Sequence, residues 1–143
     1  MDLVTQARQF DFVREIGGPN KGKWVEIFQH FTGNQPPDSW CASFVSFVIA
    51  LVTKGTTTLP RSAACQDYYD YAKHNGLLLH LPEVGCLFLY VNDQDHAHHI
   101  GIVTQLEPLM GIAGNTSSDG SSSNGDGVYE HAIQAVVFIK TGL

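Results

Sequence analysis

The chain has 143 residues, 43% of them hydrophobic and 15% charged, which suits a single globular domain over residues 1–143. A domain of this size buries roughly two thirds of the surface its unfolded chain exposes. A formal net charge of −6 with no basic stripe excludes nucleic acid or an anionic membrane surface as the main partner, and no apolar run is long enough to span a bilayer. Cys41, Cys65 and Cys86 form no CxxC pair and leave one thiol over, so reduced thiols are expected rather than a disulfide framework or a cysteine-rich zinc site.

In chain order, Leu3, Ala7, Phe10, Val13 and Ile16 recur at helical spacing, and Gly17-Gly18-Pro19-Asn20 stops the pattern. The N-terminal residues lack the basic start and apolar segment of a signal peptide, so synthesis in the cytoplasm is expected. Any extracellular target would then be reached after lysis or by a dedicated export route. Trp24, Val25, Ile27, Phe28 and Phe31 predict a second helix, closed by Gly33-Asn34. After Pro36-Pro37 a third begins, with Asp38 or Ser39 as its N-cap and Trp40, Phe44, Val45, Val48, Leu51 and Val52 on one broad apolar stripe. Lys54-Gly55 ends it. Ser62 is the expected N-cap of a fourth helix, Ala63 to Asn75, ended by Gly76.

Beyond Gly76 the period changes. Gly85 to Val91 reads as a buried strand, followed by short strands at His99 to Thr104, Met110 to Asn115, Val128 to Ile133 and Val136 to Ile139. Helices first and an antiparallel sheet after them give an α+β fold. Thr116 to Gly127, rich in Gly, Ser, Asn and Asp, is expected to be a mobile loop.

Cys41 falls in the first turn of the third helix, where free N–H groups and the helix dipole favour an anion. Most helical cysteines are small core residues, but this position can lower a thiol pKa from about 8.5 into the ~3.5–7.5 range and yield a nucleophile. Cys65 is expected within a helix and Cys86 within a buried strand, which leaves Cys41 as the only catalytic thiol. Asp93 to His99 concentrates three histidines beside two carboxylates. One reading is a metal site from His96, His98 and a carboxylate. The other makes His99 a general base, with His96 and His98 in a polar loop. If a turn at Gln105 to Leu109 sets Thr104 opposite Met110, residue i pairs with 214 minus i and His99 lies opposite Asn115. The amide oxygen of Asn115 could then accept the ring N–H. The same register places Gly101, Gly111 and Ala113 on that face, small residues that would admit the Cys41 helix. Thiol, imidazole and amide form a nucleophile, base and orienter set of papain type.

Glu15 to Gly22 with Val25-Glu26, Ser39-Trp40-Cys41-Ala42-Ser43-Phe44-Val45, His99-Ile100-Gly101-Ile102-Val103, Gly114-Asn115-Thr116 and Gly125-Asp126-Gly127-Val128 together resemble the CHAP peptidoglycan amidohydrolases, across nearly the whole chain. The resemblance implies a papain-like domain with N-terminal helices packed on a C-terminal antiparallel sheet. It also implies a cysteine-dependent amidase or endopeptidase that cleaves bacterial cell-wall peptides through a thioester, without a cofactor. The catalytic roles fall on Cys41, His99 and Asn115. Substrate contacts are expected from Trp40, Asp38 and His98. Many relatives carry Glu two residues before the Asn, where this chain has Ala113, and the stretch before Cys41 has only Asp38 for a calcium site. A phage lysin, an autolysin and an antibacterial effector would all satisfy this reading, and the sequence identifies no immunity or inhibitor partner. The alternatives are a metal-dependent hydrolase using His96, His98 and His99, and a non-catalytic wall-binding module.

Overall fold

The computed structural model describes residues 1–121, 125–134 and 137–143. Four helices precede a six-stranded antiparallel sheet, an α+β arrangement as the sequence leads one to expect. The helices are α1 (Leu3–Arg8), α2 (Lys23–Phe31), α3 (Cys41–Thr53) and α4 (Cys65–Asn75). The strands are β1 (Leu78–Leu79), β2 (Leu87–Val91), β3 (Ala97–Gln105), β4 (Met110–Thr116), β5 (Gly127–Ala132) and β6 (Val137–Ile139), in the order β1-β6-β2-β3-β4-β5. Val136, expected to open the last strand, lies outside the described residues, as do residues 122–124 of the expected loop. No helix among the described residues is long and apolar enough to cross a membrane.

Local chemistry accounts for most boundaries. Asp2 caps α1 by accepting from the Thr5 N–H at 2.7 Å. Lys54 and Gly76 close α3 and α4 in the left-handed conformation. The first helix is shorter than its apolar spacing suggests: it ends at Arg8, and successive turns bring Phe10 and Val13 into the core instead. Chain from there to Arg14 runs beside the sheet, where Arg14 bridges Gly127.

Period-2 alternation gives the sheet two apolar faces. Leu87, Leu89, Ile100, Ile102 and Ile112 face the helices, together with Phe28, Trp40, Phe44 and Val48. Phe88, Val103, Ala113 and Phe138 form a smaller cluster on the opposite face. The placement of the small residues departs from expectation. Gly101 and Gly111 lie under the Phe88 ring, with no space for a Cβ, and Ala113 shares that far face. The glycine that admits α3 is Gly114, where an added Cβ would come within 2.7 Å of Trp40 and 2.8 Å of Phe44.

Candidate active site

Cys41 is the first residue of α3, and its N-cap is Trp40 rather than Asp38 or Ser39. No side chain caps this helix, so the N–H groups of its first turn stay free to face an anion. Asp38 serves the preceding turn instead: its carboxylate accepts from the Gln35 N–H at 3.1 Å and its carbonyl accepts from Gln29 Nε2 at 2.8 Å. Gln29, fully buried, also donates to the Asn20 carbonyl at 3.0 Å, and Asn20 Nδ2 donates to the Pro37 carbonyl at 2.7 Å. These bonds tie the loop before Cys41 to α2.

Trp40 is a core residue. It is 0% exposed, stacks on Phe28 with ring centroids 5.9 Å apart, and donates its indole N–H to Glu15 Oε2 at 2.9 Å. That corrects its assignment as a substrate contact, because a side chain sealed in the core cannot meet a polymer. Asp38 and His98 remain exposed, on the loop before Cys41 and next to His99.

The structure brings Cys41 and His99 together. Their hydrogen-bonding and Coulombic interaction holds the Cys41 thiol down, alongside a backbone hydrogen bond from Ile100. The β3–β4 pairing on this side stops at Ile102 opposite Ile112. The largest contribution comes from a residue expected elsewhere. Cys65 is the first residue of α4, and its Sγ lies 3.5 Å from Cys41 Sγ. The hydrogen bond shared by the two sulfurs sends Cys41 well below the ordinary thiol range and Cys65 well above it. Burial opposes this in Cys41 and reinforces it in Cys65. Of the two, Cys41 is the sulfur whose anion this environment favours. Cys86 lies in the other apolar cluster, where burial pushes its thiol up to about 11.

His99 is 1% exposed and packs against Tyr90, with centroids 5.4 Å apart and 33° between planes, and against Phe88 at 6.2 Å. Its Nε2 is buried without a partner among the described residues. The expected bond to Asn115 is not formed. The register of 214 minus i holds at Ile102–Ile112 and Val103–Gly111, but β4 shifts its pairing with β5 between Ala113 and Thr116, and Asn115 takes φ +54° within that bulge. The bulge re-aims the side chain, so Asn115 Nδ2 donates to Ser39 Oγ at 2.9 Å. Gly125 abuts the Asn115 carbonyl too closely for any Cβ. Asn115 therefore anchors the residue two before Cys41, while the Tyr90 and Phe88 rings pack on the imidazole.

The histidine-rich segment does not assemble a metal site: among the described residues no group of three or more His, Cys, Asp or Glu is placed to hold one. It forms a tight turn. Asn92 Oδ1 accepts from the Gln94 and His96 N–H groups, and Asp95 accepts from the Tyr69 hydroxyl at 2.7 Å and lies 3.5 Å from Lys73 Nζ. His99 alone turns inward. A cleft of about 500 Å³ lined by Tyr90, Asp119, Ala132 and Gln134 adjoins the ring that packs on His99.

Sequence reasoning missed Cys65, Tyr90, Ser39 and Glu15. For Cys65 a signal existed, since it precedes a helical run much as Cys41 does; assigning the N-cap to Ser62 placed it too far inside. Ser62 in fact lies before the helix, donating to Asp67 at 2.6 Å and accepting from the Ala64 N–H. No protein-family model, curated protein or solved structure matches the chain.

Proposed function

We propose that the chain is a CHAP-like, papain-type cysteine amidohydrolase that cleaves an amide bond in bacterial cell-wall peptides. The observation that carries this reading is a cysteine at the first residue of α3, its thiol held below the ordinary range beside a buried imidazole. Cys41 attacks the substrate carbonyl, and the free N–H groups of the α3 start stabilise the oxyanion of the tetrahedral adduct. His99, having taken the Cys41 thiol proton, gives it to the departing amine, which leaves a Cys41 thioester and a neutral imidazole. Water, deprotonated by His99, then attacks the thioester and releases the carboxylate. The Cys65 S–H favours the thiolate in the resting state. Asp38 and His98 are the exposed candidates for substrate contact at either side of the pair.

The test is the clearing of a suspension of purified cell walls. Wild type is expected to clear it, to lose activity in step with alkylation of Cys41, and to be indifferent to a chelator. Clearing that survives complete Cys41 alkylation but stops on chelation would replace this reading with metal-dependent hydrolysis.

A further inference from the structure

We propose that Cys41 and Cys65 form a reversible modification site, in which a hydroperoxide converts the two thiols into an intramolecular disulfide that switches the nucleophile off. The Sγ atoms are 3.5 Å apart, and a disulfide at about 2.05 Å requires them to close by only about 1.5 Å. Each cysteine is the first residue of its helix, α3 and α4. A side chain there has no preceding helical turn to lock it, so rotation about χ1 can supply the approach. Both residues are largely buried, Cys41 at 5% and Cys65 at 8% exposure, so the oxidant has to be as small as hydrogen peroxide.

The division of labour follows from the protonation states. The Cys41 thiolate is the form that reacts with a peroxide. Its sulfur attacks one peroxide oxygen, the O–O bond breaks, and the departing alkoxide or hydroxide takes a proton to leave as alcohol or water. Cys41 is now a sulfenic acid, oxidised by two electrons. The Cys65 sulfur attacks the sulfenyl sulfur, the S–O bond breaks, and hydroxide leaves with the Cys65 proton as water. A dithiol reductant returns both thiols. Cys86 cannot take either part, because it lies in the apolar cluster on the far face of the sheet.

The test reads mass and needs no turnover, so its failure is distinct from failure of the hydrolase reading. The native chain is treated with hydrogen peroxide, alkylated, digested without reduction and mapped. The expected result is a Cys41–Cys65 linked peptide two hydrogens lighter than its parts, with Cys86 alkylated, and recovery of both thiols in dithiothreitol. Cys86→Ser should behave the same. Cys65→Ser should instead carry Cys41 on to sulfinic or sulfonic acid that dithiothreitol does not reverse. Wild type in which Cys41 over-oxidises while Cys65 stays a free thiol, or in which Cys41 pairs with Cys86 or a second chain, would overturn the proposal.

Discussion

Glu15 and Trp40 are joined across 25 positions of sequence by a 2.9 Å bond from the indole N–H to the carboxylate, and Trp40 is the residue from which the nucleophile's helix springs. Removing the acceptor leaves a buried donor unsatisfied, which costs about 1–3 kcal/mol. Glu15→Ala is therefore expected to lower the melting temperature by roughly 3–10 °C, and Glu15→Gln, which keeps an acceptor, by much less. Thermal melts of the two variants check this; equal melts would show that the bond does not hold the helix start.

Gly114→Ala tests the close approach of α3. Its Cβ would meet Trp40 and Phe44 below 3 Å, and overpacking of a filled core costs about 1–3 kcal/mol. Because the clash falls beside Cys41, activity in the folded fraction is expected to fall with stability. A variant as stable and active as wild type would contradict the packing described.

The course of the chain was legible where apolar period and punctuation agree. The Cys41 helix and its stop at Lys54 follow from one apolar stripe and a Lys-Gly end; the expected β3–β4 register holds at Ile102–Ile112 and Val103–Gly111, although a shift next to the turn pairs Met110 with Gln105 and not with Thr104. Helix α1 was overextended because turns can keep Phe10 and Val13 at core positions as well as a helix does. At the candidate site, Cys41 and His99 were legible from local position. The Asn115 contact was not, since one bulge residue at φ +54° sends its side chain away from His99. Cys65 was not, since only the packing of α4 beside α3 brings two sulfurs 24 residues apart together.

Asn115 has two separable roles, a left-handed backbone and a bond to Ser39. Asn tolerates that backbone better than most residues and Gly better still. Asn115→Gly is expected to keep most stability while losing the bond, and Asn115→Ala to lose about 1 kcal/mol more through strain. Ser39→Ala should match Asn115→Gly in activity, because both cut the same contact before Cys41. Denaturant unfolding and steady-state kinetics read the two effects apart; a large activity loss in Asn115→Gly with none in Ser39→Ala would return Asn115 to a direct part in catalysis.

The pH dependence of Cys41 alkylation measures its thiolate fraction. The hydrogen bond with Cys65, and after it His99, hold the Cys41 thiol well below the ordinary thiol range, against the effect of burial. Removing a donor to an anion destabilises the anion, so the midpoint must rise. Cys65→Ala should move it up most, Cys65→Ser less because a hydroxyl still donates, and His99→Ala upward by a smaller step than Cys65→Ala. Mass-resolved rates of iodoacetamide labelling at Cys41 provide the profile. An unchanged midpoint in folded Cys65→Ala would remove the second thiol from the site.

The proposed activity is the cleavage of an amide bond in wall peptides by Cys41. Mass spectrometry of material released from purified peptidoglycan by wild type and by folded Cys41→Ala tests it most directly. The expected result is fragments with a new carboxylate and a new amino group at one defined peptide position, released by wild type and absent with Cys41→Ala. Release of the same ends by Cys41→Ala at the wild-type rate, or no new ends from folded wild type with its thiols reduced, would contradict it.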